Sequence, residues 1–324
     1  MKALVTGATG FVGSHLVDIL RRNGADVTIL ARSEAKAAPL AALGMTVVRG
    51  DLSAHDALAR AVDGQDAIFH VAGSVAARNE AEYFRGNRDG TANVVNAAVE
   101  AGTNPRLVVV SSMAAGGPSL GGVPRTGVES DRPVTMYGRS KLAAEKVVRA
   151  SGLPWVILRP PMIYGPRDRD NLIRIFRIAR LGVAPVFGDG SQRLSAIYAP
   201  DLADALFAAA SAPGAVGQTY YANHPEVLTS AGIVRATGRV LGRTMHLVRV
   251  PEWAGRGILH LTGAAAALLG RATILNADKA NEFFQPAWLG DPSPLERDTG
   301  WRAAHAFESG LAETYAWYRS AGWL

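Results

Sequence analysis

The apolar positions in the first half of the chain fall in short unbroken runs: Ala3 to Thr6, Val27 to Leu30, Thr46 to Val48, Ala67 to Val71, Leu107 to Val110 and Trp155 to Leu158. These runs are rich in β-branched residues and do not alternate with polar ones, the pattern of strands covered by helices on both faces. Stretches with helical spacing lie between them, near Gly13 to Asn23, Arg88 to Ala101 and Tyr137 to Ser151. Strand and helix in regular alternation predict an α/β fold with a doubly wound parallel sheet. After Tyr164 the pattern breaks into pieces punctuated by glycine and proline, which predicts a smaller, non-contiguous C-terminal part. The sheet-bearing part is expected to span 1–165 together with about 192–222, and the second part 166–191 and 223–324.

Composition narrows the function classes. With 324 residues, 48% hydrophobic and 19% charged, the chain can bury a large core and is not a disordered segment. The absence of cysteine excludes disulfides, cysteine nucleophiles and thiolate metal sites. The first apolar run, Lys2 to Thr6, leads straight into a glycine-rich turn and leaves no room for an export signal, so a cytoplasmic location is expected. The late stretch Gly257 to Gly270 is interrupted by His260 and bounded by Arg256 and Arg271, too short for a membrane span; a buried or pocket-lining helix is expected there.

The net charge of +6 is carried mostly by scattered arginines, which argues against nucleic acid as a partner. One local group, Arg167, Arg169, Arg174, Arg177 and Arg180, either meets an anionic substrate tail or forms a solvated helix face. The histidines at 15, 55, 70, 224, 246, 260 and 305 show no metal-ligand spacing, so no metal is expected. A serine hydrolase is unsupported, because no Gly-x-Ser-x-Gly turn occurs.

The strongest local motif is Thr6-Gly7-Ala8-Thr9-Gly10-Phe11-Val12-Gly13, placed between the first strand and the first helix. Glycines there permit a tight turn and let backbone N–H groups approach a pyrophosphate at the helix N-terminus, so this part reads as a dinucleotide-binding Rossmann domain. A second constellation is Tyr137-Gly138-Arg139-Ser140-Lys141. Residues four apart share a helix face, which brings the lysine ammonium near the phenol and would lower its pKa.

With these residues in view, the first two thirds of the chain resemble the extended short-chain dehydrogenase/reductase superfamily, the NAD-dependent epimerase/dehydratase family. The resemblance implies cofactor contacts at Gly7, Thr9, Gly10, Phe11, Val12 and Gly13, at Asp51-Leu52 beside adenine, and at Ala72-Gly73 along the dinucleotide. Asn87 matches an asparagine that shapes the helix beside the active site. In NAD-dependent members the second strand ends in an acidic residue; here Ala31 and Arg32 stand there, and a guanidinium pairs with a 2′-phosphate. NADP(H) is therefore favoured, with NAD(H) the alternative. The family also implies that Ser112, rather than Ser111, positions the substrate oxygen, that Tyr137 is the general acid/base, and that Lys141 binds the cofactor ribose. The segment Arg159 to Pro166, with Pro160 and Met162, implies contact with the nicotinamide carboxamide. A homodimer through the tyrosine-bearing helix is also implied.

Departures from the family's subgroups point to the reaction. Dehydratases and decarboxylases carry acids just after the catalytic hydroxyl, where this chain has Met113 and Ala114. Nucleotide-sugar enzymes carry an asparagine where Met162 stands, and an apolar thioether cannot replace its hydrogen bonds. Met113 and Met162 are thus candidate substrate contacts, and the pattern is closest to 3β-hydroxysteroid dehydrogenase and dihydroflavonol reductase relatives. Trp253, Ile258, Leu259, Leu261, Leu268, Leu269 and the pair Phe283-Phe284 either wall an apolar pocket or form core. The expected activity is NADP(H)-dependent interconversion of a secondary alcohol and a ketone on a bulky apolar or aromatic substrate. The alternatives are an NAD(P)-dependent nucleotide-sugar epimerase and a non-catalytic NADP-binding sensor.

Overall fold

Six apolar runs become parallel strands: β1 (Lys2–Thr6), β2 (Asp26–Ala31), β3 (Thr46–Arg49), β4 (Ala67–His70), β5 (Arg106–Val110) and β6 (Trp155–Arg159). The computed structural model describes residues 1–169 and 172–324. A seventh strand, Gln218–Tyr221, pairs with β6, and the sheet runs in the order Gln218–Tyr221, β6, β5, β4, β1, β2, β3. The order reverses between β1 and β4, which opens a crevice at their carboxyl ends where a dinucleotide binds in folds of this kind. Strand limits agree with the apolar runs to about one residue; the inner strands are covered on both faces, whereas β3 is a largely exposed edge strand.

Two apolar layers sandwich the sheet. One joins Val5, Ile29 and Phe69 to Leu16 and Leu20 of helix α1 (Phe11–Arg22) and to Leu202 and Leu206 of the helix Ala199–Ser211. The other joins Leu4, Ile68 and Leu107 to Leu58, Val94 and Val148 from three helices on the opposite face. Leu295 and Trp301, far along the chain, also pack into the first layer, so the C-terminal third contributes to the sheet's core.

The remaining elements form short sheets at the carboxyl end of the large one. Met162–Tyr164 pairs with Ala196–Tyr198, Arg193–Leu194 lies between Leu228–Thr229 and Ala287–Trp288, and Val183–Phe187 pairs with His246–Val250. The helix Glu252–Leu268 departs from expectation: Gly255 and Leu259 are its buried residues, whereas Trp253, Ile258, Leu261, Leu268 and the following Leu269 are exposed. They join no core among the described residues, because none of those residues covers the outer side of the element. No helix among the described residues is long and apolar enough to cross a membrane.

Of the arginine group, Arg174, Arg177 and Arg180 are exposed on or just after the helix Leu172–Ala179. Arg167 pairs with Asp18 at 2.8 Å and Arg169 lies over the Trp323 ring, so these two are engaged within the chain.

Candidate active site

The glycine turn has the close approaches its spacing requires. A Cβ on Gly13 would lie 2.1 Å from the Gly7 carbonyl oxygen, and one on Gly7 would lie 2.8 Å from the Ala72 nitrogen. Gly7 also has φ +77°, in the left-handed region. Gly10 caps α1 without a side-chain hydrogen bond, and the first turn holds no acidic residue. The N–H groups of Phe11, Val12 and Gly13 therefore face the crevice without a side-chain acceptor, at the positive end of the helix dipole. This cradle fits a pyrophosphate.

Around the rim, Ala31 is buried at the end of β2 and Arg32 is exposed, with no hydrogen bond or ion pair among the described residues. Hydrogen bonds from the Ser53 hydroxyl and N–H hold the Asp51 carboxyl below its usual range, and the charge of Arg32 adds to the effect. Leu52 packs against Gly90, and its carbonyl accepts from Asn93. On β4's side, the Thr6 hydroxyl and His70 Nδ1 are 2.8 Å apart, and His70 Nε2 and the Thr91 hydroxyl 2.9 Å apart. Burial first, and Lys141 second, push His70 down to about 3, so it is a neutral bridge. It is a positioning residue that composition alone does not separate from the other histidines.

Asn87 sits in a π-helical turn, Arg85–Asp89. Its side chain accepts from Ser74 N–H at 2.8 Å and donates to the Ser74 carbonyl and, at 2.8 Å, to the Ser140 hydroxyl. It thereby ties the Ala72-Gly73 turn to the helix Met136–Arg149. Pro160 and Met162 follow β6; the Pro160 carbonyl accepts from Met113 N–H at 3.0 Å.

Ser112 caps the short helix Met113–Gly116, accepting from Ala114 N–H at 3.2 Å. Across from it, Thr135 caps the helix Met136–Arg149, which places Tyr137 in the first turn and Lys141 one turn deeper. The Ser112 hydroxyl lies near enough to the Tyr137 phenol to favour its ionised form. Burial pushes that phenol up to about 12; Ser112 pulls it down, while Glu282 and Tyr83 push it further up. The ring of Tyr83 is 5.9 Å from that of Tyr137.

Lys141 is buried one turn below Tyr137. Its Nζ donates to the Val110 carbonyl at 2.7 Å and lies 3.5 Å from where a Cβ on Gly73 would sit. Burial pushes it down to about 8, against the pull of Glu145, and its charge acts on His70. Helical spacing puts the pair on one face, but the buried ammonium is drawn to a carbonyl of β5. From that place it faces the turn that would carry the cofactor's ribose.

Ser111, the neighbour, donates to Glu145 at 2.5 Å. Glu145 also receives Arg159 through two bonds of 2.9 and 2.6 Å, and Arg159 reaches Asp131 at 2.7 Å. Burial opposes the charge on Arg159, but Glu145 and Asp131 more than restore it. This buried network fixes the helix Met136–Arg149 against β5 and β6; removing one partner of such a network costs about 3–5 kcal/mol.

The two methionines expected to meet substrate both lie in apolar clusters. Met113 is 3% exposed and clusters with Trp288 and Tyr221, with Val134 and Leu194 against them. Met162, half-buried, packs into the neighbouring cluster around Tyr164 and Leu194. Phe283 and Phe284 are half-buried and meet Phe187, stacked at 5.4 Å and edge-on at 5.6 Å. Two residues that motif reading missed come from the same segment. Asp278 accepts from Met136 N–H at 2.8 Å, and Glu282 acts on the Tyr137 phenol while pairing with Lys279 at 2.5 Å. No motif marks them, since only the tertiary fold brings the segment to Tyr137.

The geometry is that of a dinucleotide cradle ending at a Ser–Tyr pair. Among the described residues, no group of three or more histidines, aspartates or glutamates could hold a metal. Residues 3–222 match the family model described as "NAD dependent epimerase/dehydratase family". The chain is 33% identical to a ceramide reductase of Caulobacter vibrioides, covering 99% of this chain and 95% of the relative. It is 29% identical to a 2-alkyl-3-oxoalkanoate reductase of Shewanella oneidensis, over 95% and 84%. Among solved structures, MoeE5 in complex with UDP-glucose and NAD superposes with a TM-score of 0.80 at 26% identity, covering 99% of each chain. The chain therefore belongs to the NAD-dependent epimerase/dehydratase family and is an NAD(P)-dependent oxidoreductase of the short-chain dehydrogenase/reductase type.

Proposed function

We propose that the protein reduces a ketone on a bulky apolar substrate, using NADPH. The observation that carries this reading is that Ser112 acts on the Tyr137 phenol while the next residue, Met113, packs among the apolar side chains of Trp288 and Leu194. The two reductases named above point the same way. When bound, the nicotinamide supplies the hydride. The Ser112 hydroxyl orients the substrate oxygen, and Tyr137 gives that oxygen its proton. A phenol pushed up to about 12 stays protonated through the neutral range, which suits donation and hence reduction. Lys141, at Gly73, would hold the cofactor ribose, and the α1 N-terminus the pyrophosphate.

NADP(H) is favoured because β2 ends in buried Ala31, with no carboxylate to repel a 2′-phosphate, and the exposed Arg32 guanidinium has no fixed partner. Calorimetry with NADPH and NADH tests it. NADPH should bind tighter, and Arg32→Ala should erase the preference, a loss of roughly tenfold for one charge-assisted contact. Equal binding, or a preference for NADH, sinks the assignment. A screen of apolar ketones for NADPH oxidation tests the reaction.

The likeness to MoeE5 supports a second reading, an epimerase acting on a nucleotide sugar, in which the cofactor is reduced and reoxidised within one turnover. Cofactor retained through purification, with UDP-sugar turnover and no net NADPH oxidation, would put this reading first.

A further inference from the structure

The helix Glu252–Leu268 turns an apolar side outward. Trp253 is 79% exposed, Leu261 73% and Leu268 89%. At α-helical spacing, positions 253, 257, 261, 264 and 268 form one stripe, filled in by exposed Gly257 and Ala264. That stripe carries no charged side chain, although a helix side facing water ordinarily does. The opposite side is seated: Gly255 lies against Phe284 and Phe187.

The segment that carries the stripe is basic, although Arg239 is already paired with Glu308 at 2.8 Å. Between 227 and 277 the chain has six arginines, at 235, 239, 243, 249, 256 and 271, and Glu252 as its only acidic residue. Glu252 is already paired with Arg256 at 2.8 Å. Exposed Arg249 precedes the helix, Arg271 follows it, and the spacing puts Arg256 and His260 along one edge of the stripe.

Two occupants suit an outward apolar helix: a second copy of the chain or a lipid surface. Seventeen residues make a stripe of ~25 Å by ~10 Å, or ~250 Å², far under the ~800 Å² per partner of a stable protein interface. A lipid surface has no such minimum. An interfacial helix needs an apolar face, a tryptophan at headgroup depth and cations beside it, and anionic headgroups complement this segment's charge. We propose that the Trp253–Leu261–Leu268 face docks into the headgroup boundary of an anionic bilayer. The helix lies flat there, with Arg249 and Arg271 at its two ends meeting lipid phosphates.

Docking would hold the substrate side of the site against the membrane. The inner side of the helix rests on Phe284, in the segment that carries Glu282 to Tyr137. An apolar ketone dissolved in the bilayer would then reach Ser112 and Tyr137 without crossing water. This consequence rests on the reductase reading; the docking itself does not.

Flotation of the full-length protein with vesicles tests the proposal. The protein should float with phosphatidylcholine vesicles containing phosphatidylglycerol, bind pure phosphatidylcholine more weakly, and lose binding as salt rises. The double variant Leu261→Asp, Leu268→Asp should partition roughly tenfold less, or worse, with unchanged thermal stability and NADPH binding. Absence of flotation by the unmodified protein overturns docking, as does equal flotation of the double variant. A dimer in sedimentation that the double variant splits, without vesicle binding, assigns the face to a second copy instead. NADPH-dependent turnover of a water-soluble ketone, measured without vesicles, separates the two readings. Flotation with no turnover of any ketone overturns the reductase reading alone, and turnover without flotation overturns docking alone.

Discussion

The glycine turn after β1 and the outward side of the helix Glu252–Leu268 both carry glycine, and there the glycines do opposite things. In the turn, added Cβ atoms at Gly7 and Gly13 would collide with backbone. In the helix, Gly257 meets nothing within 4 Å. Close packing makes the first region intolerant of change and gives it one conformation to offer a cofactor. The second region is held on one side only. The contrast separates a region fixed on every side by backbone packing from one that its neighbours cover on one side.

The contrast can be broken at its chemical end first. Tyr137→Phe should lower kcat/KM for ketone reduction by about 10²–10⁴-fold while NADPH binding stays unchanged. Steady-state kinetics beside calorimetry checks it, and a residual rate near that of the unmodified protein would remove Tyr137 from the chemistry. Gly13→Ala comes next. Its Cβ would sit 2.1 Å from the Gly7 oxygen, so the turn must open, with a stability loss of roughly 3 kcal/mol or more and no measurable cofactor binding. Denaturant unfolding measures the first effect and calorimetry the second.

His70 sharpens the same comparison through pH. An unfolded imidazole takes a proton near 6.5, but burial keeps the folded one neutral down to about 3. The unfolded state thus binds more protons in that window, and stability falls as pH drops from about 6.5 to about 3, by a few kcal/mol. His70→Gln should flatten the dependence; an unaltered acid-unfolding curve would assign the effect elsewhere.

The smaller effects lie in the C-terminal segment. Glu282 raises the Tyr137 phenol, so Glu282→Gln should move the alkaline limb of the pH–rate profile to lower pH with little change in the plateau. An unmoved limb would show that the segment does not reach the chemistry. Gly257→Ala, in open space on a helix, should raise stability by about 0.5–1 kcal/mol in thermal unfolding. The same change made in the glycine turn costs several times as much, which is the contrast in its simplest form.

The chain's own pattern was sufficient where a local rule dictates a local outcome. Double-sided burial wrote the inner strands β1, β2, β4, β5 and β6 as apolar runs, and steric demand wrote the glycine turn. Capping and helical spacing placed Tyr137 and Lys141 one turn apart. Only the tertiary structure decided the rest. It turned the Lys141 ammonium toward the Val110 carbonyl, because a buried cation seeks its nearest acceptor wherever the fold supplies it. It brought Asp278 and Glu282 from the far end of the chain to the tyrosine's helix. It also left Trp253, Leu261 and Leu268 facing outward, although periodicity could not say which side of that helix would be covered. Burial belongs to the neighbours a segment meets, and those neighbours are not written in the segment itself.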